Sequence, residues 1–184
     1  MRPTLLTLVS LVFAGFAARL LPHAWNFTPV IAMALLAGVY ARPRWLALAL
    51  PLAALWLSDL VLNNLVWAEY YEGVQLIGNL GVYAAIAAVA VLPAATNAHP
   101  GTRWRGLGAL GLGGALAFFF VSNGAVWASS GMYPPTPGGL AACLVAGLPF
   151  LANSVASTLA FGAAGVAAMR WARQRNSAAA VAGA

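Results

Sequence analysis

Charged residues are scarce in this chain, and lysine is absent. Only 7% of the 184 residues carry a charge, whereas 62% are hydrophobic; soluble domains average about 25% charged and 45–50% apolar residues. This imbalance excludes an ordinary water-soluble domain and predicts an integral membrane protein whose surroundings are the lipid bilayer. The nine basic residues are arginines in small groups between apolar runs, so the net charge of +6 does not indicate nucleic-acid binding.

Cysteine and histidine are also nearly absent. The single cysteine, Cys143, excludes a disulfide within the chain, and His23 and His99 lack the spacing of a zinc site. We therefore predict neither a bound metal nor a cofactor. The glycine-rich segment 106–114 follows no strand and lacks the lysine of a phosphate-binding loop. Its small residues, four apart, favour close contact between helices.

Long apolar runs predict six transmembrane helices, at about 20 residues for each span. The last run contains Pro149 and fits either one kinked helix or a short segment followed by a span. The second run is short and is expected to form a short or tilted helix. We expect one six-helix transmembrane domain over residues 1–175 and a flexible tail over 176–184. The predicted helices cover residues 4–21, 30–40, 45–67, 74–92, 106–127 and 140–171.

The arginines predict the orientation of this bundle. Because basic residues are enriched in cytoplasmic loops, the side of the membrane that holds both termini is predicted to be cytoplasmic. The opposite loops contain His23, Glu69 and Glu72, with Arg19 as the only basic residue near them. The arginines on the cytoplasmic side are Arg2, Arg42, Arg44, Arg103, Arg105, Arg170, Arg173 and Arg175.

One carboxylate, Asp59, lies inside the apolar segment 51–64, PLAALWLSDLVLNN. An ionisable group at such a depth is costly and is by default a candidate for a functional site. At 1.5 Å per residue, Asp59 lies about 22 Å from Arg44 along the third helix, in the outer third of the bilayer. Two interpretations are open: contact with a ligand, which predicts that Asp59→Asn weakens ligand retention more than stability, or a structural ion pair with Arg19.

Other polar side chains are predicted near the same height. Asn63, Asn79, Asn123 and Trp127 come from three helices, and Asn153 lies nearer the midplane. With Asp59 they predict a polar and aromatic pocket on the periplasmic side, of the kind that binds small molecules. For each asparagine the alternative is an interhelical hydrogen bond, and the tryptophans also suit an interfacial aromatic belt.

Proton transfer between Asp59 and His23 is an enzymatic alternative. The chain offers no activated nucleophile and no second close carboxylate, which such chemistry ordinarily needs. We therefore predict that the protein is not an enzyme.

Three segments carry a resemblance to a known family: LPHAWNFTPVIAMALLAG at 21–38, PLAALWLSDLVL at 51–62 and the segment 118–154. The chain resembles a bacterial inner-membrane family, named only as a domain of unknown function, that looks like the S components of energy-coupling factor (ECF) vitamin transporters. The resemblance implies a six-helix bundle in the inner membrane, both termini cytoplasmic, and an outer pocket for a vitamin or metal. It implies that the pocket is lined or capped by Asn26, Thr28, Asp59, Asn123, Trp127, Tyr133 and Asn153.

The resemblance also implies partners. S components of the ECF type dock on a transmembrane coupling subunit with ATPases through small residues on the first helix, where this chain has Ala14 and Ala18. A related cobalamin-transporting component uses a cysteine at its ligand, so Cys143 makes cobalamin one candidate.

The sequence thus predicts a membrane protein that captures a small vitamin-like solute for uptake, in a pocket open to the periplasm. The alternative is a structural or assembly subunit of a larger membrane complex. The candidate substrate-binding residues are Asn26, Thr28, Asp59, Asn63, Asn79, Asn123, Trp127, Tyr133 and Asn153.

Overall fold

Six α-helices joined by short connections make up the part of the chain that the structure, a computed structural model, describes: residues 2–22 and 24–182. Within these ranges there is no β-strand, so the predicted all-helical fold is confirmed. The helices are α1 (Arg2–Ala17), α2 (Val30–Tyr40), α3 (Leu46–Val61), α4 (Leu80–Ala95), α5 (Trp104–Ser129) and α6 (Pro137–Ala182).

Three helical segments are long and apolar enough to cross a membrane. Within the described residues they are Leu46–Val66, Trp104–Ser129 and Pro137–Ala178. The first of these continues α3 through a wide π-helical turn, Leu62–Val66, in which the Trp67 N–H donates to the Leu62 carbonyl at 2.8 Å. The other three helices are apolar but shorter.

Helix α2 lies at the centre and packs against all five other helices. Every residue of α2 except Gly38 is buried. A helix that is apolar on all sides is expected in such a position. The glycines of its neighbours admit its side chains: a β-carbon on Gly114 of α5 would lie 2.9 Å from Leu35. The predicted range of the second helix and the predicted close packing of the glycine-rich segment are therefore confirmed.

Successive helices run in opposite directions. The start of α4 at Gly81 lies against Ala125, near the end of α5, and Arg170, far along α6, contacts Thr102 before the start of α5. The bundle therefore has two ends. We call the end with the connections 18–29, 62–79 and 130–136 the Asp59 end. We call the end with the connections 41–45 and 96–103, together with α6 from Arg170 onward, the arginine end.

Two boundaries differ from the predictions. Helix α4 begins at Leu80 rather than near residue 74, because residues 71–79 form a non-helical loop. Helix α6 passes through Pro149 without ending and continues to Ala182, so of the two predicted arrangements the single long helix is correct. Its last turns include most of the segment 176–184, and the flexibility of that segment stays a prediction.

Candidate functional site

A partly buried ion pair marks the Asp59 end. Arg19, in the short turn after α1, places its Nη1 atom 2.8 Å from Oδ1 of Asp59 on α3. The same Nη1 donates to the Ser58 hydroxyl at 2.5 Å, and that hydroxyl donates to the Leu55 carbonyl at 2.8 Å. The two charged side chains are only 16% and 10% exposed. Of the two interpretations of Asp59, the ion pair with Arg19 is therefore present in the structure.

The rest of the Asp59 carboxylate is enclosed by protein. Gly78 lies so close to Oδ2 that its backbone leaves no room for a β-carbon. The Tyr83 hydroxyl of α4 is buried near the same carboxylate without a hydrogen bond of normal geometry. Asn63, one turn further along α3, is also buried, with its amide nitrogen on the Gly78 side. Asp59 is thus packed between α1, α3, α4 and the loop that precedes α4.

Gly78→Ala is expected to destabilise the protein by about 1–3 kcal/mol, the usual cost of overpacking. The added methyl group would occupy the position of Asp59 Oδ2 and push the carboxylate away from Arg19. Thermal unfolding in detergent measures the loss. Gly124→Ala is the control, because a β-carbon there meets nothing within 4 Å. Equal melting temperatures for the two variants would contradict the close contact.

The loop 71–79 is held over the end of α3 by two side chains. Asn64 forms a pair of bonds with Gln75: its amide donates to the Gln75 carbonyl and its Oδ1 accepts from the Gln75 N–H, each at 2.8 Å. The Trp56 indole donates to the Leu76 carbonyl at 2.9 Å. The loop ends at Asn79, whose Oδ1 accepts from the Gly81 N–H at 2.8 Å and caps α4. These hydrogen bonds supply partners for backbone N–H and C=O groups of a mostly apolar segment whose hydropathy predicts a helix.

The loop before α2 is fixed to α6. The Asn153 amide donates to the Trp25 carbonyl at 2.8 Å, and the Ser157 hydroxyl lies 3.5 Å from the Asn26 carbonyl. The ring of Phe27 packs against that of Phe161, with centroids 5.9 Å apart. Asn26 itself has φ of 57°, the left-handed region that asparagine tolerates better than most residues. Asn153 therefore positions the loop that carries Asn26.

A cavity of about 510 Å³ lies between these two loops. All six helices contribute to it, either directly or through an adjoining turn. Its polar lining comes from Arg19, Asn26, Thr28 and Ser154, and its aromatic lining from Trp25, Trp67 and Phe118. The remaining lining residues are Leu20, Leu21, Pro22, Val30, Ile31, Leu55, Leu62, Val66 and Val82.

A side cavity of about 170 Å³ adjoins the first one. The two share Asn26, Val82, Phe118 and Ser154. The polar groups that the side cavity adds are Asn79, Ser122 and Asn123. Asn123 uses its amide nitrogen on the Phe119 carbonyl of its own helix at 2.8 Å.

Four of the nine candidate binding residues therefore line a cavity: Asn26, Thr28, Asn79 and Asn123. Asp59, Asn63 and Asn153 line neither cavity; Asp59 and Asn153 contact the lining residues Arg19 and Trp25. Trp127 donates its indole N–H to the Pro134 carbonyl at 2.9 Å, and Tyr133 lies in the same connection; neither lines the two cavities. Arg19 and Ser154 are lining residues outside the predicted binding set: Arg19 stands out in the sequence only as a possible partner of Asp59, and Ser154 does not stand out from an ordinary serine.

The cysteine on which the cobalamin alternative rests lies apart from both cavities. The Cys143 thiol is buried, donates to the Asn123 carbonyl at an S–O distance of 3.4 Å and lines neither cavity. His23 lies outside the described residues. Among residues 2–22 and 24–182, no three His, Cys, Asp or Glu side chains form a group that could hold a metal ion.

Comparison with known proteins gives one match. A family model described as a family of unknown function (DUF6580) matches residues 1–180. No curated protein and no solved structure matches the chain.

Proposed function

The chain belongs to the family of unknown function DUF6580, and we propose that it is a six-span membrane protein that binds a small vitamin-like solute and takes part in its uptake. The observation that carries the proposal is the cavity of about 510 Å³ at the Asp59 end, to which every helix contributes. Ligand cavities typically measure about 300–1,000 Å³ and combine apolar walls with a few polar groups.

Charge supports an orientation in which the Asp59 end faces outward. Arg42, Arg44, Arg103, Arg105 and three arginines of α6 lie at the arginine end, which the positive-inside rule assigns to the cytoplasm. Glu69 and Glu72 lie at the other end. The 16-residue helices α1 and α4 are about 24 Å long at 1.5 Å per residue, which a locally thinner bilayer accommodates. In the bacterial inner membrane the cavity then opens to the periplasm, with both termini in the cytoplasm.

The lining favours a solute without net charge. Arg19 is neutralised by Asp59, and both of its described contacts use Nη1; a guanidinium carries further N–H donors that a ligand can use. Asn26, Thr28 and Ser154 add amide and hydroxyl groups, and the aromatic side chains suit a flat, partly apolar molecule. Because the Cys143 thiol lies off the cavity, a vitamin smaller than cobalamin is the better candidate.

Uptake would require energy from a partner. The sequence contains no nucleotide-binding motif, so we propose a transmembrane coupling subunit with ATPases, as in the transporters that the sequence resembles. The solute site would load from the periplasm before that complex changes conformation.

Mass spectrometry of small molecules released from the full-length protein, purified in mild detergent, tests the proposal. We expect one compound at near-equimolar amount. Asn26→Gly should reduce it about five- to tenfold, because the exposed Asn26 amide, which lines the cavity, could no longer form a hydrogen bond with the solute, a loss of about 1–1.4 kcal/mol. Asn97→Gly is a matched control, because Asn97 also has a positive φ of 53° but lies at the arginine end.

Two results would overturn this function. One is that Asn26→Gly releases the same amount of the bound compound as the unaltered protein. The other is the absence of any enriched compound in native extracts while a fixed protein partner co-purifies, which would favour a structural or assembly subunit.

A further inference from the structure

A basic cleft of about 640 Å³ opens at the arginine end, far from the solute cavity. It is formed by the loop before α5 and the later part of α6, and its side chains include His99, Arg103, Trp104 and Arg173. The three acids of the chain, Asp59, Glu69 and Glu72, all belong to the Asp59 end. Within the described residues, therefore, no carboxylate side chain competes for these arginines.

Arg170 organises this cleft rather than serving as a free cation. Its Nη2 atom donates to the Thr102 carbonyl at 2.6 Å, and its guanidinium carbon lies 4.6 Å from the centre of the Trp104 ring. These contacts fix the loop and the indole against α6. Arg103 and Arg173, both exposed on the same cleft, are left to attract an anion.

An apolar groove of about 200 Å³ continues from the cleft between α2, α5 and α6. Trp104 lines both the cleft and the groove, so the two spaces are neighbours. Gly108, Gly111 and Gly162 keep the groove open, and Thr158 is its only polar lining residue. A groove of this volume is too narrow for a helix, whose diameter with side chains is about 10–12 Å, but suits a hydrocarbon chain.

We infer that the cleft and groove together bind one anionic phospholipid. Arg103 and Arg173 contact the phosphate, Trp104 lies at the level of the headgroup, and one acyl chain follows the groove past Gly108. Basic pockets between transmembrane helices on the cytoplasmic side bind such headgroups, and tryptophan favours the membrane interface. The inference rests on the proposed membrane placement and is independent of the solute cavity.

Binding of phosphatidylglycerol and phosphatidylcholine to the detergent-purified full chain, measured by native mass spectrometry, tests this inference. We expect phosphatidylglycerol to be retained at least about tenfold better, in line with the contribution of two arginines near a lipid phosphate. The double variant Arg103→Gln/Arg173→Gln should remove this preference. Arg44→Gln/Arg175→Gln loses the same charge outside the cleft and should keep it.

A second pair of variants tests the acyl groove. A β-carbon on Gly108 meets nothing within 4 Å, so Gly108→Leu should fill the groove without a clash at that atom. Gly124, also on α5, has the same free space but lies outside the groove, so Gly124→Leu is the control. Gly108→Leu should lower phosphatidylglycerol binding about tenfold, and Gly124→Leu should not. Thermal melting checks that each variant is folded.

Three outcomes would overturn the inference. An equal loss in both arginine double variants would indicate general attraction between charges. Unchanged binding in Gly108→Leu would indicate a headgroup site without the groove. Displacement of the lipid by millimolar inorganic phosphate would indicate a site for a free anion.

Discussion

Asp59→Ala is expected to lower the free energy of unfolding by about 1–3 kcal/mol, because it removes one partner of a partly buried, hydrogen-bonded ion pair. Arg19 would keep its charge in a site where its side chain is only 16% exposed, with Ser58 as its remaining described partner. Unfolding in detergent and denaturant, followed by tryptophan fluorescence, measures the change. Glu69→Ala removes an exposed acid from the same end and should have little effect.

A double-mutant cycle separates the ion pair from its surroundings. Arg19→Gln/Asp59→Asn removes both charges and should recover part of the stability that each single change loses, since neither charge remains unpaired. Additive losses in the cycle would contradict the pairing. The ligand-contact interpretation of the sequence predicts that Asp59→Asn loses ligand more than stability. Because Asp59 lies behind Arg19 and lines neither cavity, we now expect stability to fall first.

Ser154→Phe is expected to weaken solute binding at least about a hundredfold, because the ring would occupy the place where the two cavities meet. Ser154 is 3% exposed and lines both of them. A solute that the ring excludes from the cavity can no longer bury its surface there, and that burial supplies most of its binding free energy. Binding of the solute identified by mass spectrometry, measured by calorimetry in detergent, gives the change in Kd.

Two further variants control for a folding defect. Val82→Phe fills the same junction from α4 and should produce a similar loss, whereas Leu148→Phe adds bulk to an exposed position of α6 outside the cavities. Melting temperatures accompany each measurement. Full affinity in a folded Ser154→Phe protein would show that the solute binds elsewhere.

Apolar runs bounded by proline or arginine predicted the helix ranges well where the run and the packed helix have the same ends. The range of α2 follows from Pro29 and Arg42 on either side of an apolar run, and α5 extends only two residues beyond its predicted range at each end. The predicted start of α4 was wrong because residues 74–77, although mostly apolar, are not helical. They are held by Asn64 and Trp56, which lie 11 and 20 residues away from their partners, and no local pattern shows such contacts.

The candidate site was predictable as a region rather than as a set of contacts. Height along the helices placed Asn79 and Asn123 near each other, and both line the side cavity. It could not show that Asn153 would use its amide on the Trp25 carbonyl, or that Trp127 would donate to Pro134. Gly78 carries no chemical signal, and only the structure shows that its missing side chain makes room for Asp59.

The short central helix has a consequence for biogenesis. At 11 residues, α2 reaches about 16 Å, roughly half the hydrocarbon thickness of a bilayer. In the proposed membrane it could not span alone, since its terminal N–H and C=O groups would face lipid without partners. It must therefore leave the insertion machinery together with the helices that enclose it. The order of assembly, rather than the hydropathy of this segment, then decides where α2 lies.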